Sequence, residues 1–406
     1  MKKLVLAALC CAASAVPAMA QHVHTASCNH QFTENQGTLK TTGLNAAAKS
    51  DVVGGGGMKF ILNNLGGVEV GTDAHKGFTA AAAIFSKYFT DDITIRLDVR
   101  FAQLNPGVLG STGSTTNSIT YAGLKTLLNA DKKSVFDNAA VASLQSGATV
   151  AFVSNEDGNC VTNVPTCQAI SATRRTLDND NTVDNLNINI NTAQVKALGL
   201  NPMYNANNPN GRDGTVQFSN QFDWDFDRSD GIAEGKIDFV GVAAHEIGHA
   251  LGFRSGVDLA DVNVGAAGLD GLAWGTVHDL FRYKNFNSKQ TLDWSVSGEA
   301  CYSINAGRNC LALLSTGRTV GDGRQASHWK DDRLTNNLIG LMDPTATGFD
   351  GTRPFQAFTK FDAIAFDAMG YDLAVPEPAT WAMMIAGFGF VGAAARRRRS
   401  VAVTYA

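Results

Sequence analysis

The sequence predicts an α+β fold, with a mixed sheet and helices in the first half, an irregular second half and one buried helix between them. Apolar residues recur at helical spacing over 75–89, and apolar and polar residues alternate over 93–101 as in a half-buried strand. Residues 238–251 are apolar on almost every side, which indicates a buried helix. Beyond Phe253 the chain is rich in Gly, Asn and Asp, so fewer regular elements are expected there.

The remaining elements follow in chain order. A short apolar run at 149–153 predicts a buried strand. Alternating apolar residues over 216–226 predict another strand, with a break. The last expected element is an amphipathic helix at 358–369.

Composition limits the classes of protein to which the chain can belong. Hydrophobic residues make up 44% of the 406 residues and charged residues 17%, so the chain can bury a sizeable core and is not a disordered protein. Lys and Arg number 33 against 37 Asp and Glu, and the net charge of −4 argues against a nucleic-acid partner. Between the two ends, no apolar run is long enough to span a bilayer.

The N-terminus has the three parts of an export signal. Two lysines precede an apolar stretch at 4–15, and small residues form a cleavage site, so the signal is assigned to 1–20. Residues 21–57 are polar and end in a glycine run at 54–57, which predicts a flexible linker. We interpret 21–57 as a candidate pro-segment that precedes the globular part of the chain.

Five cysteines remain after the export signal, and an oxidising compartment favours disulfides. Cys160 and Cys167 bracket one short loop, and Cys301 and Cys310 bracket another. Two local disulfides are the simplest pairing, which leaves Cys28 over.

The buried helix carries the chemistry, because His245-Glu246-Ile247-Gly248-His249 is an H-E-x-x-H pattern. Residues four apart lie on one face of a helix, so both imidazoles can bind one Zn²⁺. Glu246 stands beside them and can take a proton from a water molecule. The pattern predicts zinc as cofactor.

A catalytic zinc usually takes three protein ligands. A downstream glutamate is a poor third ligand here, since Glu299 lies in a loop-like context and Glu377 in the tail. The compact pattern H-E-x-x-H-x-x-G-x-x-H places its third histidine where this chain has Ser255. His328 is the predicted third ligand, because a methionine of a tight turn, Met342, follows it. The alternatives left open are His278, which is expected to be a packed or surface residue, and Asp258.

These motifs together resemble the leishmanolysin-type metzincins. The chain has the run H-E-I-G-H-A-L-G-F at 245–253, an insertion at 254–327, Ser-His-Trp at 327–329 and Leu-Met at 341–342. The resemblance implies a zincin fold in which residues about 58–373 form a metalloprotease domain with subdomains at about 58–253 and 254–373.

By position, the resemblance makes His245, His249 and His328 zinc ligands, Glu246 the catalytic base and Met342 the Met-turn residue. It implies an exported zinc endopeptidase that hydrolyses protein or peptide substrates. The strand over 216–226 is the candidate edge for pairing with an extended substrate. The alternative is a catalytically inactive surface or matrix protein on the same scaffold.

Three further groups of side chains could bind metal. A Cys/His tract after the export signal could cap the zinc, capture metal loosely or be an unordered end with an unpaired thiol. Its members are His22, His24, Cys28 and His30. Two acidic clusters could bind structural Ca²⁺ or be solvated turns. The first is Asp223, Asp225, Asp227 and Asp230, and the second is Asp178, Asp180 and Asp184.

The C-terminal tail, 374–406, has three parts in order. Pro-Glu-Pro at 376–378 precedes an apolar run at 379–395 and four arginines at 396–399. This arrangement resembles the PEP-CTERM sorting signal of Gram-negative bacteria, which an exosortase recognises and processes. The resemblance implies a protein of the cell envelope or extracellular space that the tail anchors transiently in the membrane.

Overall fold

The computed structural model describes residues 21–25, 50–53, 57–156, 170–205, 208, 211–266, 268–346 and 356–374. The helices are α1 (Asp73–Tyr88), α2 (Tyr121–Asp131), α3 (Val135–Ser143), α4 (Val183–Leu186), α5 (Thr192–Ala197), α6 (Phe239–Ala250), α7 (Val257–Val262), α8 (Asp332–Thr335) and α9 (Lys360–Ala368), with 3₁₀ turns at Arg228–Asp230 and His278–Phe281. The strands are β1 (Gln21–Thr25), β2 (Ser50–Val53), β3 (Lys59–Asn64), β4 (Thr94–Ala102), β5 (Val108–Ser114), β6 (Thr116–Thr120), β7 (Phe152–Ser154), β8 (Thr176–Asp178), β9 (Asn187–Asn191), β10 (Gly214–Ser219), β11 (Trp224–Asp225), β12 (Ile237–Asp238), β13 (Arg282–Phe286), β14 (Lys289–Leu292), β15 (Ala300–Tyr302) and β16 (Ala312–Leu314).

The main sheet has six strands in the order β1-β5-β10-β4-β3-β2. β3, β4 and β10 run parallel to one another. β5 runs antiparallel to β10, and β1 pairs antiparallel with the other edge of β5. The centre of the sheet is apolar because Ile95, Leu97 and Val99 alternate along β4 and are fully buried.

The helix α6 lies on this sheet beside α1, and small residues let them approach closely. A Cβ at Gly77 of α1 would lie 2.7 Å from Cδ1 of Phe239, the first residue of α6. Asp238 caps α6, since its Oδ1 accepts a hydrogen bond from Gly241 N at 3.0 Å. The helix ends at Ala250, and Gly252 follows with a φ of 114°, a backbone conformation that favours glycine.

The strand of the main sheet that makes the most contacts with α6 is β5, and the sequence does not predict this strand. Thr112 Oγ1 lies 3.0 Å from Glu246 O, and Ser114 Oγ donates a hydrogen bond to His249 O at 3.1 Å. The prediction that the strand over 216–226 forms the substrate edge is wrong. This strand begins as β10, which is flanked by β4 and β5, so its backbone groups are already paired. On this side of the sheet β5 lies next to the edge strand, because only β1 covers its outer side.

The second half contains more regular structure than its composition indicates. Four short strands form an antiparallel sheet in the order β14-β13-β15-β16. A disulfide joins Cys301 and Cys310, whose Cα atoms are 5.5 Å apart. Short strands with little alternation explain why the sequence pattern does not reveal this sheet.

The predicted α+β class is confirmed, and the predicted helices α1, α6 and α9 and strand β4 are each found within two residues of the expected ends. The export signal, Cys28, the Cys160–Cys167 pair and the tail from residue 375 lie outside the described residues. Within the described ranges, no helix is long and apolar enough to cross a membrane.

Phe239 is the centre of an aromatic cluster that holds α6 on the sheet. Its ring contacts five other aromatic rings, at centroid distances of 4.6 to 6.4 Å: Phe78, Phe101, Phe218, Trp224 and Phe226. Truncation leaves a cavity that this crowded cluster cannot fill. We therefore expect Phe239→Ala to lower the free energy of unfolding by about 3–5 kcal/mol, measured by urea denaturation.

The matched control is Phe136→Ala, because Phe136 lies on α3 and is 37% exposed. Its effect should stay below about 1 kcal/mol. Equal losses in the two variants would contradict the role given to the Phe239 cluster.

Candidate metal centre

Three histidines meet at one point in the interior. His245 and His249 come from consecutive turns of α6, and their Nε2 atoms are 2.9 Å apart. Nε2 of His328, from the segment after β16, lies 3.2 Å from Nε2 of His249. All three residues are fully buried. The structure thus brings together the three residues that the sequence predicts as ligands, in a group whose atoms could hold one metal ion.

Each of these rings has its other nitrogen on a backbone carbonyl. Nδ1 of His245 lies 2.8 Å from Leu341 O, and Nδ1 of His249 lies 2.7 Å from Phe253 O. Nδ1 of His328 lies 3.2 Å from Gln325 O. A carbonyl oxygen only accepts, so in the neutral rings Nδ1 carries the hydrogen and Nε2 keeps a lone pair.

Glu246 follows the first histidine and is also fully buried. Thr112 Oγ1 donates a hydrogen bond to its Oε2 at 2.6 Å. A Cβ at Gly110 of β5 would lie only 2.8 Å from Glu246 Oε1, so glycine leaves room for the carboxylate. Burial raises the pKa of Glu246 to about 8, and the Thr112 hydrogen bond opposes this shift.

The two ends of the insertion at 254–327 lie next to each other, close to the C-terminal end of α6. Ser255 N donates a hydrogen bond to Ser327 Oγ at 2.8 Å, so the residue before His328 touches the position where a compact pattern has its third histidine. Asp258 accepts hydrogen bonds from Ala326 N at 2.6 Å and from Ser327 N at 3.2 Å. Asp258 therefore fixes the segment that carries His328 and is not in the group of candidate ligands.

Met342 lies against α6 between the two histidines of the helix. A Cβ at Gly248 would be 2.5 Å from its Sδ, and Met342 is fully buried. Its turn is held by Asp362 of α9, which accepts hydrogen bonds from Leu341 N at 2.9 Å and from Trp329 Nε1 at 2.8 Å. Asp362 thus links Leu341, whose carbonyl orients His245, to Trp329, the residue that follows His328.

The other candidates lie elsewhere. His278 is buried against Phe253 and Tyr302, as expected for a packed residue, and burial lowers its pKa to about 3. The acidic cluster at 223–230 forms turns, in which Asp225 and Asp227 accept hydrogen bonds from backbone N–H groups. No side-chain position is described for the Cys/His tract.

Sequence reasoning missed three residues that support the histidines, namely Thr112, Asp258 and Asp362. The pattern Thr-x-x-Asp at 359–362 is a capping-box signal and could have drawn attention to Asp362. Thr112 and Asp258 have no local signal, because their partners lie far away in the chain.

We expect Asp362→Asn to destabilise the protein. The amide replaces one acceptor oxygen by a donor where Leu341 N, Thr359 N and Trp329 Nε1 all donate, which leaves a buried N–H group unpaired. The loss should be about 1–3 kcal/mol in the free energy of unfolding, measured by urea denaturation. Asp92→Asn is the control, because the side chain of Asp92 is 85% exposed. If both variants unfold at the same urea concentration, Asp362 does not hold this turn.

Comparison with known proteins assigns two segments of the chain. The family model for matrixin matches residues 200–259, which include β10, α6 and the first two histidines. The model for the PEP-CTERM protein-sorting motif matches residues 374–399. No curated protein and no solved structure matches the chain. The leishmanolysin-like subtype is not among the matches, and His328 and Met342 lie outside the matrixin match. The chain therefore combines an α+β fold, in which the segment around the H-E-x-x-H helix matches the matrixin model, with a C-terminal segment that matches the PEP-CTERM sorting motif.

Proposed function

We propose that this protein is an exported zinc endopeptidase in which His245, His249 and His328 hold the metal and Glu246 is the catalytic base. One observation carries the proposal: three buried imidazoles face one another through Nε2 while each Nδ1 is on a backbone carbonyl. Three neutral rings in this tautomer present lone pairs to one another, and a cation between them removes the repulsion.

The donor set fits zinc. Nitrogen ligands at about 2.0–2.1 Å from a tetrahedral ion are about 3.3 Å apart, close to the Nε2 separations of 2.9 and 3.2 Å. Backbone carbonyls that fix the ring orientation are the usual outer partners of histidine ligands. When bound there, zinc supplies Lewis acidity toward a water molecule and a substrate carbonyl.

Glu246 moves the proton in this proposal. Its carboxylate accepts a proton from the attacking water and returns it to the amine nitrogen that leaves. Thr112 Oγ1, bonded to Oε2, keeps the carboxylate in one orientation. Since Glu246 is buried beside the histidines, the carboxylate is positioned without a large side-chain rearrangement.

The outer edge of β5 is the proposed substrate strand. In the structure this edge accepts the extended segment β1 in antiparallel register, with Gln21 opposite Gly113 and Val23 opposite Ser111. A substrate peptide can pair in the same way, through main-chain hydrogen bonds. On this proposal, residues 21–25 occupy the substrate edge, which supports a pro-segment within 21–57.

The sorting motif implies export to the cell envelope and exosortase-type processing of the tail. We propose in addition that the signal at 1–20 is removed, that the apolar run at 379–395 anchors the protein transiently in the membrane, and that the source is a Gram-negative bacterium. The peptidase segment implies a protein substrate.

Glu246→Gln tests the mechanism. The amide keeps the size of the side chain and leaves the histidines in place, but it cannot accept the proton. We expect the zinc content to stay at the wild-type level while kcat for casein hydrolysis falls by about 10²–10⁴-fold. A variant that retains wild-type activity would exclude Glu246 as the base. A zinc-loaded wild type without activity would instead favour the inactive surface or matrix protein.

His328→Ala tests the third ligand. Loss of an inner ligand should weaken zinc binding by more than the roughly 10–100-fold typical of outer partners, and activity should disappear with the metal. Zinc per chain after dialysis and casein hydrolysis are the measurements. The control is His75→Ala on the partly exposed side of α1, which should keep both. Retention of zinc by His328→Ala at the wild-type affinity would contradict the assignment.

A further inference from the structure

Four carboxylate side chains meet in the interior, apart from the histidine centre. Their ligand oxygens lie within 4.8 Å of one another, and they belong to Glu156, Asp178, Asp184 and Asp270. All four residues are between 0% and 4% exposed. The sequence pattern at 178–184 indicates only two of them, and the expectation of a solvated turn is wrong for Asp178 and Asp184, because the fold buries both.

Several neighbouring side chains already donate hydrogen bonds to these carboxylates. Asp184 accepts hydrogen bonds from Thr182 Oγ1 at 2.8 Å and from Trp274 Nε1 at 3.1 Å. Asp178 accepts one from Asn185 Nδ2 at 3.0 Å. Among the described residues, no Lys, Arg or His forms an ion pair with any of the four carboxylates.

Glu156 gives a second, independent indication of a missing partner. Its Oε1 accepts a hydrogen bond from Leu269 N. Its Oε2 has no hydrogen-bond partner in the described structure, although the residue is only 2% exposed. A buried carboxylate oxygen without a donor or a cation is costly. The low-dielectric interior also makes the repulsion among the four carboxylates strong.

The pKa values agree with this electrostatic conflict. Burial, followed by the neighbouring Asp270 carboxyl, raises the pKa of Glu156 to about 10. Burial raises the pKa of Asp184 to about 7, and Asp178 adds to the shift. The protein without an ion therefore disfavours the charged forms that an ion would stabilise.

We propose that these four carboxylates bind one Ca²⁺ ion. An all-oxygen set of four carboxylates suits a hard divalent cation, and Ca²⁺ accepts irregular geometry and a larger number of ligands more readily than Mg²⁺ does. The proposal goes beyond the peptidase function and does not depend on it.

The ion would fasten the base of the insertion to the first half of the chain. Glu156 follows β7, Asp178 ends β8 and Asp184 lies in α4, whereas Asp270 belongs to the insertion at 254–327. Trp274, which donates to Asp184, lies so close to the residue after Ser255 that a Cβ at Gly256 would be 2.0 Å from Trp274 O. The proposed calcium site thus braces the chain where the insertion leaves α6.

The experiment uses the whole exported chain with Glu246→Gln, so that self-cleavage cannot obscure the result. After treatment with EGTA, thermal unfolding is followed with and without added Ca²⁺, and bound Ca²⁺ is counted by calorimetry. We expect one Ca²⁺ per chain and a midpoint that rises by several degrees, with Mg²⁺ much less effective. If the chain neither binds Ca²⁺ nor unfolds at a higher temperature when Ca²⁺ is added, the proposal is overturned. Protons shared between the carboxyl groups would then stabilise the cluster.

Glu156→Gln separates a metal ligand from a structural residue. The amide can donate to a neighbouring carboxylate, so without Ca²⁺ this variant should unfold at a higher temperature than its parent, but it should no longer respond to Ca²⁺. Asp230→Asn, in the exposed 3₁₀ turn at Arg228–Asp230, is the matched control and should respond like the parent. A Glu156→Gln variant with the full calcium response would overturn the proposal. If Glu156→Gln fails to fold, the number of Ca²⁺ ions bound per parent chain still tests the proposal.

Tb³⁺ provides a probe at the site itself. Trp274 lies beside Asp184, so excitation of its indole should sensitise Tb³⁺ emission, and Ca²⁺ should displace this signal. Trp274→Phe should bind Tb³⁺ with most of the emission lost. Emission that is unaffected by Trp274→Phe would place the ion elsewhere and contradict the proposed ligands.

Discussion

The histidine centre depends on three hydrogen bonds from imidazole Nδ1 atoms to backbone carbonyls. They fix which nitrogen of each ring faces inward, and all three Nε2 atoms consequently point at the same position. The three carbonyls belong to different parts of the chain: Phe253 follows α6, Gln325 lies near the end of the insertion and Leu341 directly precedes Met342. The centre can therefore form only when α6, the insertion and this turn are all in place.

The long insertion is compatible with this requirement because its ends are held together. Ser255 and Ser327 are joined by a hydrogen bond, and Asp258 accepts two hydrogen bonds from the backbone near Ser327. Loop closure costs free energy only logarithmically with length, so a few contacts of this kind can position the residue that follows. His328 is thus delivered to the end of α6 although it lies 79 residues from His249 in the chain.

Local patterns made part of this structure predictable. The helix α6 and its two histidines four residues apart follow from periodicity and spacing, and the structure contains them. The return of the chain at Ser327, the bond from Thr112 to Glu246 and the four-carboxylate cluster depend on contacts between distant residues, for which one sequence holds no signal. β10 shows the same limit: alternation predicts a strand, but only the strand order shows that β10 is internal and that β5 lies between it and the edge strand β1.

Orientation by carbonyl oxygens also affects how this chain can diverge. Every residue has a carbonyl group, so the positions of Leu341, Phe253 and Gln325 can change their side chains without loss of the acceptor, provided that the backbone path is kept. Selection for such a centre acts on a few histidines and on backbone shape, and leaves much of the surrounding sequence free to drift. Proteins that keep such a backbone path can then share this geometry even where their sequences no longer align.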